Sequence, residues 1–312
     1  MMAAGIGVIR AGERGAAEIA AHSQGALDRP LSCAAELWVA VSRDDALLAG
    51  AFQRAASLPE EARMAPVLLR GSGGPEVRLG AGTVHVALAL SRPDALEPCD
   101  ERRIVNRAVR PLLRALTRSG SLAHFFGRDW VSVAHRPAAW VGFAHDASSR
   151  RTVFEAFVAV RAPFAVAQRP SMLGKPHGTL ESIAGRALDP ARIADAIVDA
   201  YLEKHHSRGV ELPAPPAAPP AAPPADPPWA ATCEEAIGML GAGPDAHGTF
   251  RLGGDLLVSR DALARLERRL ADARDDEVGA VVDETLGAPG VALEGIASLG
   301  SVRDLVLRAR GG

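Results

Sequence analysis

A chain of 312 residues is long enough for one large domain and a smaller one. With 48% hydrophobic and 23% charged residues it has the balance of a soluble globular protein, and a formal net charge of −2 gives no general pull towards nucleic acid or an anionic membrane. Three widely separated cysteines (Cys33, Cys99 and Cys233) form no Cys-x-x-Cys pair, which argues against a metal site or a disulfide framework and for a reducing cytoplasm.

In chain order, Met1 to Arg14 lacks the basic start of a signal peptide, and no apolar run reaches the ~18 residues of a membrane span. Ile6–Ile9 is expected as a first strand and Glu36–Val41 as a second. Ser42 and Asp44–Asp45 then offer an N-cap, and Leu47, Leu48 and Phe52 at helical spacing predict a helix over 45–56. Pro66–Leu69 and Val84–Leu90 read as two strands around the turn Arg70-Gly71-Ser72-Gly73-Gly74-Pro75-Glu76-Val77. Glycines without a Cβ let backbone N–H groups approach an anion, and Arg70 adds fixed positive charge, so the turn is a candidate phosphate or carboxylate cradle. The same composition suits an ordinary hairpin connection.

Ile104–Leu116 alternates apolar and basic residues in helical register, its basic side reading as a solvated face. Asp129–Val133 and Trp140–Ala144 are expected to pair, Ala156–Val160 to form a further strand, and Pro190–His205 an amphipathic helix capped by Asp189. From Pro213 to Pro228 the chain is nearly all proline and alanine, which predicts a semi-rigid polyproline II spacer. The expected division is therefore a domain over 1–210, a linker over 211–228 and a small α+β domain over 229–312. Within the last, a helix is expected over Cys233–Leu240, a hairpin over 248–258, and helices at 260–274, 278–286 and 302–309.

Taken together, Ser42–Leu48, Arg70–Val77, Asn106-Arg107 at the start of a helix, Gly127–Val133 with Arg136–Gly142, and Thr179–Ile183 resemble the biotin/lipoate protein ligase superfamily, its lipoate–protein ligase branch in particular. The resemblance covers roughly residues 35–208, and the C-terminal unit resembles the accessory domain of the longer lipoate ligases. It implies an α+β fold, a mixed β-sheet flanked by helices, that binds an acyl chain and an adenylate. Activity of that kind would use ATP and Mg²⁺ to pass lipoate or octanoate to a lysine of a lipoyl-carrier domain, with no nucleic acid or membrane partner. The resemblance assigns Arg70, Ser72, Gly73, Gly74, Val77, Gly82, Arg128 and Gly142 to substrate or adenylate binding, and makes Val84, Val86 and Leu88 candidate walls for the aliphatic tail.

At chemistry-bearing positions the chain departs from the pattern. The signature lysine falls at Pro137, which supplies neither charge nor a backbone donor. Pro75 and the anionic Glu76 follow the glycines, and Glu155-Ala156-Phe157-Val158 replaces a histidine- and glycine-containing strand. With only Lys175 and Lys204 as lysines, the candidate replacements are Lys175, in the segment Gly174–Gly178, and Arg136 or Arg128. A cysteine nucleophile is disfavoured because none lies between Cys99 and Cys233. The alternative to a ligase is a catalytically inactive relative that holds an acyl-carrier domain or a partner; a biotin ligase is a third reading.

Overall fold

The structure, a computed structural model, describes residues 3–60, 66–126, 129–162, 172, 174–216 and 219–311. The large unit begins with β1 (Ala3–Arg14), α1 (Ala16–Ala26), β2 (Cys33–Ser42), β3 (Ala46–Ala49), β4 (Val67–Leu69), β5 (Val77–Leu79) and β6 (Val84–Leu90). It continues through α2 (Ile104–Arg118), β7 (Ala123–Phe125), β8 (Trp130–Val133), β9 (Arg136–His145), β10 (Thr152–Val158), α3 (Leu180–Ala184), α4 (Pro190–Lys204) and β11 (Val210–Glu211). The remainder holds β12 (Ala231–Glu235), β13 (Gly238–Pro244), β14 (Phe250–Gly254), β15 (Leu257–Val258), α5 (Arg260–Asp272), α6 (Val278–Leu286), β16 (Leu293–Glu294) and α7 (Leu299–Gly311).

An eight-stranded mixed sheet in the order β11-β1-β2-β6-β10-β9-β8-β7 forms the centre, and β4-β3-β5 forms a small second sheet. This is the expected α+β arrangement of a mixed sheet with flanking helices. Alternation along the central strands separates its two faces. Val84, Val86 and Leu88 of β6 point with Val39, Phe154 and Val141 into a core shared with Leu112 of α2 and Ile197 of α4. These valines are therefore helix-side core and do not face the side chains that carry the polar groups described below. The α2 and α4 predictions hold, with Asp189 accepting from the Ala191 N–H at the start of α4.

Three local expectations fail for the same reason: apolar spacing in a short window fits more than one structure, and a distant partner decides. Leu47 and Leu48 belong to a strand, not a helix, because β3 pairs on both sides, parallel with β4 and antiparallel with β5. Asp44 does cap a helix, but a different one: its Oδ1 accepts from the N–H of Ala16, opening α1. Likewise Val67–Leu69 pairs with β3 rather than with β6, so the glycine turn is not a simple hairpin. Residues 231–244 form the antiparallel pair β12–β13 where a helix was expected.

The proline- and alanine-rich stretch lies along the large unit. Leu69 N–H donates to Ala221 O, Ala55 N–H to Pro224 O, and the Gln24 amide exchanges two bonds with Ala221. Its end is fixed by Arg54, which stacks on Trp229 at 3.6 Å and donates to the carbonyls of Pro227, Gly243 and Pro244. Trp229 in turn fits where Gly241 and Gly253 leave room; a Cβ on Gly241 would fall 2.2 Å from the indole. Beyond it the C-terminal elements pack on the central sheet, with Arg260 paired to Asp28 and the Asp261 carboxylate accepting from the N–H groups of Ala147 and Ser148. No described helix is long and apolar enough to cross a membrane.

Candidate functional site

On the face of the central sheet away from α2 and α4, cross-strand pairing lines up Trp130, Trp140, Phe157, His85 and Ala40 in one row. The next row reads Gly142, Glu155, Ala87 and Trp38. Ala16, Ala20, Ala40, Ala46, Ala87 and Ala159 pack among the large aromatic rings here, and Val77, Leu79 and Leu48 of the small sheet and Ile19 of α1 cover the face. The face is thus apolar at its tryptophan end and polar where α1 crosses it.

The polar end is built around Glu155, fully buried, as is His85. His85 Nε2 bonds Glu155 Oε1 at 3.0 Å, and Ser23 Oγ donates to Oε2 at 2.8 Å. His22 stacks on Trp38 with ring centres 3.8 Å apart, and His85 stacks on Phe157 at 4.9 Å. Burial alone would raise the Glu155 carboxyl, but hydrogen bonding and charge from His85, then the Ser72 hydroxyl and Arg70, outweigh it and hold the pKa at about 2. Burial, helped by His85 and Arg29 and opposed by Glu155, lowers His22 to about 3, so that imidazole is neutral at ordinary pH.

The glycine loop closes over this end, and its donors point inward. Gly71 N–H donates to Ser23 Oγ, Gly73 N–H to Phe143 O and Gly74 N–H to Leu256 O, each at 2.8 Å. Arg70 has no exposed surface; its Nε donates to Ser72 O and one terminal nitrogen to Gly73 O, curling the guanidinium onto the loop's own carbonyls. Gly142 is required beneath, since a Cβ there would lie 2.2 Å from Ser72 Oγ. Glu76 is buried and accepts from Gln53, whose amide also bridges to Asp255.

The remaining candidates are elsewhere. Gly73 sits against Phe143, whereas Pro137 lies six positions earlier on β9, about 20 Å away at the usual strand rise. Pro137 is therefore not beside the glycine loop. The segment that carries Lys175 reaches β9 through Gly178, whose N–H donates to Pro137 O and whose Cβ, if present, would press on Arg136. The Lys175 ammonium lies over Phe126 at 5.7 Å and Trp130 at 5.8 Å, and His177 meets Trp140 edge-on at 5.1 Å. Gly82, at φ +86°, lines a separate cavity of about 450 Å³ with Arg43, Arg161 and Asp189. Arg128 lies outside the described residues. Val77 is buried on the tryptophan face. Among the described residues no group of three or more His, Cys, Asp or Glu side chains is arranged for a metal ion.

Sequence reasoning missed His22, Ser23 and His85. A histidine alternating with valines on β6 was the available signal; its meaning depends on Glu155, 70 residues later.

No family model and no curated protein matches the chain by sequence. Its shape, by contrast, matches solved lipoate–protein ligases. Lipoate-protein ligase A bound with ATP superposes with a TM-score of 0.53 at 14% identity, over 67% of this chain and 89% of that one. The bipartite lipoate protein ligase of Thermoplasma acidophilum gives 0.54 at 13% identity, over 68% and 88%. P. falciparum LipL1 in complex with lipoate gives 0.64 at 9% identity and extends over 96% of this chain and 98% of that one, so the likeness includes the C-terminal elements.

Proposed function

With the fold of a lipoate–protein ligase as the premise, we propose that this chain binds a lipoyl or octanoyl group along the tryptophan face and does not form an adenylate on its glycine loop. It then acts as a holder of that group, free or attached to a lipoyl-carrier domain. The observation that carries the reading is the inward commitment of the loop: the N–H groups of Gly71, Gly73 and Gly74 all have protein acceptors. The site does not suit ATP. A nucleotide phosphate needs outward donors and positive charge; here the arginine is wrapped in loop carbonyls, and the Glu155 carboxylate is buried beneath the loop. No step through ATP or Mg²⁺ is therefore assigned.

A second reading keeps catalysis and rests on Lys175, which lies in the segment whose Gly178 N–H bonds the carbonyl of Pro137. In that case Lys175 would stabilise negative charge on an activated acyl group. Pyrophosphate release from acid plus ATP separates the two readings. The holder releases none with lipoate, octanoate or biotin. Release that Lys175→Ala abolishes, and Arg136→Ala leaves unchanged, would establish the ligase and overturn the proposal.

A further inference from the structure

Apart from the tryptophan face, a cavity of about 120 Å³ lies where the C-terminal elements meet the start of α2. Arg102, just before α2, Asn106 in its first turn and Phe125 of β7 form one side. Ile237, Leu257 of β15 and Glu294 of β16 form the other, the first two belonging to the helix-side core. That second side is fixed by a close approach. The Ile237 N–H donates to Gly295 O at 3.1 Å, and a Cβ on Gly295, at φ +83°, would fall 2.6 Å from the Ile237 side chain.

Two opposite charges line this cavity without meeting. Glu294 is half-buried, and burial alone pushes its carboxyl up. Among the described residues, the side chains of Glu294 and of the exposed Arg102 have no hydrogen-bond or ion-pair partner, each other included. A carboxylate desolvated in this way is relieved by a cation. A bare cation, however, would sit beside the permanent charge of Arg102. A molecule that carries both signs satisfies both groups. Asn106 adds to the anion-binding side: its Oδ1 accepts from Arg110 at 3.2 Å, which leaves the amide NH₂ as a donor. The space is that of about four waters, so the molecule is no larger than a small amino acid. We infer that this cavity binds a small zwitterionic amino acid with an apolar side chain. Its ammonium meets Glu294, its carboxylate meets Arg102 and Asn106, and its side chain lies against Phe125, Ile237 and Leu257.

Isothermal titration of the full chain with L-alanine, ethylamine and propionate tests this. The last two are alanine without its carboxylate and without its amine. L-Alanine is expected to bind about tenfold more tightly than either, the value of one charge-assisted hydrogen bond. Glu294→Gln keeps the size of the side chain and the backbone pairing of β16 with β15, and should weaken alanine binding about tenfold. Arg102→Ala, at an exposed position, should do the same. Both variants should melt with the native chain when no ligand is present, which separates lost affinity from lost folding. Absence of alanine binding overturns the inference, as does either analogue binding equally well, or an affinity that either substitution leaves unchanged. None of these outcomes bears on the acyl-binding reading, which concerns the tryptophan face.

Discussion

The N–H of Gly74 donates to the carbonyl of Leu256 at 2.8 Å, joining the glycine loop to the C-terminal elements. Gly73 beside it is just as constrained: a Cβ there would come within 2.2 Å of that same carbonyl oxygen. Gly73→Ala must therefore push two backbones apart. A loss of ~2–4 kcal/mol is expected in urea unfolding, with faster amide exchange over 254–259 than in the native chain. Unchanged exchange there would show that the two units are not held through this contact.

Arg54 ties the proline-rich stretch to the rest. It is almost fully buried, stacks on Trp229 and donates to carbonyls on both sides of that tryptophan. Arg54→Ala removes the stack and strands those acceptors, so a loss of ~3 kcal/mol is expected. Arg54→Lys should recover little of it, because an ammonium cannot reproduce the planar fork. Thermal melts of the two variants measure the difference.

The His85–Glu155 pair should behave as a buried hydrogen-bonded unit whose partners depend on one another. Removing the imidazole with His85→Ala leaves the Glu155 carboxylate with less compensation, and ~3–5 kcal/mol of destabilisation is expected. Replacing both, as in His85→Leu with Glu155→Gln, should cost less than the sum of the two single changes. A double-mutant cycle in urea reads this coupling, and strict additivity would refute it.

Acid sensitivity should come first from His22. Its folded pKa of about 3 lies below the ordinary imidazole value of 6.5, so the unfolded chain takes up the proton first and stability falls as pH drops from about 6.5 towards 3. The expected loss is of order a few kcal/mol. Glu155 acts lower: its folded pKa of about 2, against 4.5, gives stability that is present above about 4.5 and is lost only as pH falls towards 2. Melting temperature against pH should show the first decline, and His22→Phe, which cannot titrate, should flatten it.

Much of the architecture is written locally. The amphipathic patterns of α2 and α4, the Asp189 cap and the alternating strands β6, β8 and β9 need only their own residues, because periodicity and capping act within a few positions. The segment 45–56 shows where that ends: leucine pairs suit a helix or a strand, and β3 is a strand because β4 and β5 lie on either side of it. The glycine loop shows the same limit at the site. Its composition suited an anion cradle or an ordinary hairpin, but which way its N–H groups point was decided by Ser23, Phe143 and Leu256, the last of them more than 180 residues along the chain. Hydrogen-bond donors carry no address in the sequence; the acceptor that reaches them first in the folded chain determines whether they are left for a ligand.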